Sequence, residues 1–130
     1  RITTRYDEGN PFGAIYGTIH ECGHALYELG LPEEHYGTPR GSAISLGIHE
    51  SQSRFLENIV GRSRPFARWL SGLMDEAFPG QGLADAERVW NSINGVEPSL
   101  RRVEADEVTY SIHIIIRMLL EEELVAGTLS

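Results

Sequence analysis

The run His20-Glu21-Cys22-Gly23-His24 constrains this chain more than any other stretch of it. The surrounding spacing predicts a helix, and on a helix two histidines four residues apart share one face and can reach a single ion. The glutamate between them sits about 100° round from the first and about 60° from the second. Two imidazoles placed this way can hold Zn²⁺ while the carboxylate takes a proton from the metal's water. His20 and His24 are therefore candidate metal ligands, and Glu21 is the candidate general base of a hydrolase. The plainer alternative is two surface histidines beside a solvated glutamate.

The helix has start and stop signals of its own. Asn10 can cap it and Pro11 suits its first turn, where a missing amide leaves nothing unpaired. Phe12, Ile15, Tyr16, Ile19, Leu26 and Leu29 follow at mostly helical spacing, and Gly30 with Pro32 supplies an end. Gly17 and Gly13, one and two turns before His20, imply either close approach of another element or tight helix packing. A zinc site of this kind needs a third protein ligand. Glu50, within Gly47-Ile-His-Glu50-Ser-Gln-Ser, is the best candidate, on a second helix expected from about Leu46 to Val60. Glu50, Ser53, Arg54 and Glu57 share one stripe of that helix, whereas Ile48, Phe55, Leu56 and Ile59 share another. His49 lies about 100° from Glu50 and reads as a hydrogen-bond donor near substrate rather than a ligand.

Together these stretches resemble a known family. His20-Glu-Cys-Gly-His-Ala-Leu-Tyr-Glu28, Gly37-Thr-Pro39, Gly47-Ile-His-Glu-Ser-Gln-Ser-Arg54, Glu57-Asn58, Gly61-Arg-Ser63 and Arg102-Val-Glu-Ala-Asp-Glu-Val-Thr-Tyr110 are similar to motifs of the M32 metallocarboxypeptidases, the thermostable carboxypeptidase Taq type. The resemblance runs through nearly the whole chain in family order. It implies a cytoplasmic, metal-dependent exopeptidase that removes C-terminal residues from peptides or proteins. It also implies a mainly α, zincin-like (gluzincin) core, a deep substrate groove and a homodimer. His20, His24 and Glu50 match the family's metal ligands, and Glu21 its general base. Arg102 matches the arginine that anchors the substrate's C-terminal carboxylate, although Arg101 stands where isoleucine is usual, so either arginine can face the groove.

Members of that family run to several hundred residues, against 130 here. Arg1-Ile-Thr-Thr4 looks like the back half of a D-x-R-x-T motif, the upstream H-P-F motif is absent, and no leader of signal-peptide type is present. The expectation is a single region, residues 1–130, of a catalytic domain cut at both ends. With 41% apolar and 23% charged residues the composition is that of a soluble globular protein. No apolar run spans a membrane; Ile112 to Leu120 is interrupted by His113 and Arg117. One cysteine excludes an internal disulfide and fits a reducing compartment. Cys22 points about 200° from His20 and reads as a core thiol. A net charge of −8 argues against nucleic acid as a partner.

Further helices are expected from Arg64-Pro65, capped by Ser63, with Phe66, Trp69, Leu70, Leu73 and Met74 inward; from about Ala84 to Ile93; and from about Asp106 to Ala126, closed by Gly127 and apolar on several sides as if buried between helices. A short β-hairpin or edge strand is expected over 37–45, and an extended path over 96–103. Arg102 can pair bidentately with a carboxylate; its plainer role is a salt bridge to Glu104 or Asp106. Tyr110 and His113 can line the groove, donate to the oxyanion, or simply pack. Asp106 or Glu107 can orient a zinc-bound imidazole. The ligand set also accepts Co²⁺ or Mn²⁺. Two other readings stand beside the carboxypeptidase: an endopeptidase of the wider H-E-x-x-H…E group, and a catalytically incompetent metal-binding helical fragment that self-associates.

Overall fold

The computed structural model, which describes residues 2–102 and 105–129, is helical, with no strand among the described residues. The chain divides into two compact units, Arg1–Ile93 and Asn94–Ser130. The first holds helices α1 (Pro11–Leu29), α2 (Leu46–Arg54), α3 (Arg64–Ala77) and α4 (Ala86–Ile93), and the second holds α5 (Glu107–Val125). Local chemistry starts most of them. The Asn10 side chain accepts from Gly13 N–H at 3.3 Å, ahead of Pro11. Ser45 caps α2 through Ile48 N–H and Ser63 caps α3 through Phe66 N–H. Asp85 Oδ1 accepts from Glu87 and Arg88 N–H, which sets the start of α4 two residues after the expected one. A side-chain oxygen placed so satisfies amides that have no partner within the helix.

The helix begun at Leu46 does run to Val60, but not as a single α-helix. After Arg54 it widens into a π-helical stretch, Phe55–Val60, and Gly61 N–H closes on Leu56 O at 2.9 Å. Such stretches are rare and cluster at functional sites. The core of the first unit is Tyr16, Ala67, Leu70, Met74, Val89 and Ile93, with Phe12, Ile15, Ile19, Phe66, Leu83 and Trp90 packed against it. On α3 the inward stripe is Ala67, Leu70, Ser71 and Met74, whereas Trp69 and Leu73 are exposed. Leu70, Met74 and Phe66 face the core as expected, whereas Trp69 and Leu73 do not: the small residues Ala67 and Ser71 allow closer packing and take their place.

Helices α1 and α2 cross with their backbones nearly touching. A Cβ on Gly23 would lie 2.5 Å from Ser53 Cα and 2.7 Å from Gln52 O, so only glycine fits. Close approach thus falls at Gly23, within the His20–His24 run itself. A Cβ on Gly17 would meet only the Thr4 hydroxyl at 2.9 Å, and one on Gly13 only its own cap, Asn10. The edge strand expected over 37–45 is replaced by a 3₁₀ turn at Pro39–Gly41. Pro39 has no amide to give to a ladder, which disfavours a strand there.

In the second unit, residues 95–99 have no regular structure, and Val103 and Glu104 of the Arg102–Tyr110 motif lie outside the described residues. Asp106 caps α5. Its Oδ1 accepts from Val108 and Thr109 N–H at 2.9 Å each, and its Oδ2 from the Thr109 hydroxyl and Glu97 N–H. The Thr109 N–H above all holds its carboxyl below the usual range. Gly127, at φ 69°, closes the helix in the left-handed region, as expected. Burial of α5 is not observed: none of its residues is buried. No described helix is long and apolar enough to cross a membrane.

Candidate metal centre

Crossing at Gly23 brings the third and fourth turns of α1 against α2, and the side chains facing across the crossing are polar. His20 and His24 come from α1 and Glu50 from α2. Glu50 Oε2 lies 3.6 Å from His20 Nε2 and 3.3 Å from His24 Nε2. One ligand atom from each of the three residues lies within 4.8 Å of the others. Two donors each about 2.1 Å from a tetrahedral ion are about 3.4 Å apart. The two carboxylate–imidazole separations fit that edge. The side chains are partly open, at 22%, 25% and 46% exposure, and His24, Leu46, His49 and Glu50 line a cavity of about 510 Å³. A closed structural site would leave no such access.

The outward ring nitrogens of both histidines are held as well. His20 Nδ1 is 2.9 Å from Glu57 Oε2, and the same oxygen accepts from Arg54 at 3.1 Å. Glu57 comes from the π-helical stretch, and its carboxylate is only 13% exposed. Arg62, 3.8 Å from Glu57 Oε1, also donates to Asn58 Oδ1 and to Ile93 O and lies over the Tyr16 ring. Glu57 is thereby tied to the core. Tyr16 donates to Gly61 O at 2.5 Å, and burial pushes its phenol from 10.0 up to about 12. It therefore stays a donor at any ordinary pH and pins the end of the stretch that carries Glu57.

His24 Nδ1 lies 2.6 Å from His49 Nδ1, and His49 Nε2 lies 2.8 Å from Glu28 Oε1. Both nitrogens of His49 are thus engaged with other side chains. The Tyr27 ring stands edge-on to His49 at 5.1 Å.

Glu21 is half-buried on α1, beside His20. Cys22, expected in the core, is only partly buried. In the second unit, Arg102 donates to the Tyr110 hydroxyl at 2.7 Å with its guanidinium 5.4 Å from the ring centre. Arg101 is exposed and His113 half-exposed. Of the suggested partners of Arg102, Glu104 lies outside the described residues and the oxygens of Asp106 serve the α5 cap. Within the first unit the carboxylate against His20 is Glu57, and Asp106 and Glu107, the carboxylates expected for that part, belong to the second unit. The signal was available in the sequence, since Glu57 shares the stripe of Glu50. Glu28 had one too, four residues beyond His24 on the same face.

Comparison with known proteins agrees with this geometry. A model of the carboxypeptidase Taq (M32) metallopeptidase family matches residues 1–130. Thermostable carboxypeptidase 1 of Thermus thermophilus is 56% identical over 130 residues, covering 100% of this chain and 26% of the relative. Carboxypeptidase 1 of Bacillus subtilis is 47% identical over 134 residues, again covering 100% and 26%. Among solved structures, the M32 carboxypeptidase from Deinococcus radiodurans R1 superposes with a TM-score of 0.92 at 48% identity, and Trypanosoma cruzi metallocarboxypeptidase 1 with 0.92 at 36%. Each covers 98% of this chain and 26% of the other. The chain spans about a quarter of the length of the relatives it matches.

Proposed function

This chain belongs to the carboxypeptidase Taq (M32) metallopeptidase family, and on that premise we propose that it carries the metal centre of a zinc-dependent carboxypeptidase acting on the C-termini of peptides and proteins. The observation that carries the reading is the convergence of His20, His24 and Glu50 on one point, with donor separations an ion of zinc's size would bridge. These three residues would hold the ion; Co²⁺ and Mn²⁺ suit the same donors. When bound, it would supply Lewis-acid polarisation of the scissile carbonyl and a more acidic water.

The chain's own residues do the rest. Glu21 takes the proton of the attacking water and hands it to the leaving amine, so a carboxylate beside the ligand pair serves twice. Arg102, aided by Arg101, pairs with the free C-terminal carboxylate; a planar fork suits that ion, and the Tyr110 hydroxyl orients it. Tyr110 and His113 line the groove in this reading. A cytoplasmic homodimer accompanies it, the compartment being supported by a lone, free cysteine.

The test is a peptide-ladder assay on the full-length protein combined with metal analysis. Stepwise release of C-terminal residues, abolished by chelation and by Glu21→Gln, supports the proposal. Cleavage of peptides with blocked C-termini would shift it to an endopeptidase, and activity unchanged in Glu21→Gln would remove the base from the mechanism.

A further inference from the structure

A carboxylate accepts hydrogen bonds and cannot donate them, whereas a neutral imidazole has one nitrogen of each kind. That difference gives the series Glu28–His49–His24 a direction. Glu28 Oε1 is 2.8 Å from His49 Nε2, so that nitrogen carries the proton. The other nitrogen of a neutral His49, Nδ1, must then accept, and its partner at 2.6 Å is His24 Nδ1. His24 therefore carries its proton on Nδ1, and the lone pair of its Nε2 faces Glu50. The reverse assignment would set a bare nitrogen against the carboxylate oxygen of Glu28. His49, at 21% exposure and packed edge-on by Tyr27, has little room to turn away.

The geometry points to Glu28 and His49 as positioning residues that fix the tautomer of His24 and so prepare its Nε2 as a ligand. Glu28 does this from two side chains away, on the same face of α1 one turn beyond His24. His20 receives the equivalent support directly from Glu57. The two ligands are thus prepared by different means, one through a single hydrogen bond and the other through an intervening imidazole. This assignment rests on the proposed function only where it speaks of metal affinity; the proton arrangement stands on the hydrogen-bond distances and on a neutral His49.

The experiment uses Glu28→Gln and Glu28→Ala in the full-length protein, both on a half-exposed helix surface where the fold tolerates change. Glutamine is the sharper probe, because its amide both donates and accepts and so permits either proton arrangement. Two-bond ¹H–¹⁵N spectra of the metal-free protein, taken at alkaline pH where imidazoles are neutral, should show His24 protonated at Nδ1 and His49 at Nε2. Each variant should show mixed tautomers at both rings. Zn²⁺ affinity by chelator competition should fall about tenfold to a hundredfold, as for other groups that orient a ligand. His24 protonated at Nε2 in the unsubstituted protein, or tautomers unmoved in both variants, would overturn the inference. The expected tautomers in a protein that binds no divalent cation would uphold the relay and remove the metal-centre reading.

Discussion

Glu21 and Glu50 are both carboxylates near the imidazole pair, yet removing them should have different effects. In the proposed centre Glu50 offers a carboxylate oxygen 3.3 and 3.6 Å from the two Nε2 atoms, so Glu50→Ala should release the metal on dialysis, as metal analysis would show. Glu21→Gln should retain metal and lower kcat by about 10²–10⁴-fold, the usual contribution of a positioned base. Tyr16 carries a pH dependence of its own. Its folded phenol titrates near 12 instead of 10.0, chiefly because burial disfavours the phenolate. A raised folded value means the contribution is complete below pH 10.0 and is lost as pH rises through about 12. Denaturant titrations across that window should therefore show stability falling, with up to about 2–3 kcal/mol of the fall absent in Tyr16→Phe.

At the scale of elements, the crossing of α1 and α2 decides whether the centre exists. Gly23→Ala should push Ser53 and Gln52 away and cost about 1–3 kcal/mol, measurable as a lower urea midpoint, with a matching loss of metal affinity. The sequence made much of this element structure readable. Asn10, Pro11 and Ser63 announced their helices because capping depends on residues adjacent in the chain, and the same holds for Gly127. Two histidines four residues apart on one face were readable for the same reason, and the approach of Glu50 to them needed only the phase of a second helix. What was hidden depends on contacts between elements. The π-helical stretch at Phe55–Val60 ends at Gly61, whose carbonyl Tyr16 of α1 holds, a contact no helical period records. Gly13 and Gly17 drew attention as candidate close contacts, but the residue pressed against another backbone is Gly23, and only the crossing point reveals that. Glu28 and Glu57 stood on helix faces the sequence could mark, but their imidazole partners, His49 and His20, are set by the crossing of the helices.

At the scale of the whole molecule, the apolar residues of α5 raise a question of association. Val108, Ile112, Ile114, Ile115, Ile116, Met118, Leu119, Leu120, Leu124 and Val125 are all between 45% and 86% exposed, and they occur on every side of the helix. A helix apolar all round is normally an interior one, and the family to which the chain belongs has members about four times as long. Covering a half-exposed aliphatic side chain returns about 1 kcal/mol. Ten such residues approach the roughly 4–15 kcal/mol that association itself costs. Those magnitudes nearly cancel, so the isolated 130-residue chain should not sit permanently in one oligomeric state but should assemble progressively as its concentration rises. Static light scattering over a dilution series should give a mass that climbs above 14.5 kDa. Ile115→Glu with Leu119→Glu, one turn apart on α5, should move that climb to higher concentration, because each assembled copy would then have to bury a charge. A mass that stays monomeric throughout would mean that α5 is covered within the chain in solution, and a climb unaltered by the double substitution would assign association to another surface.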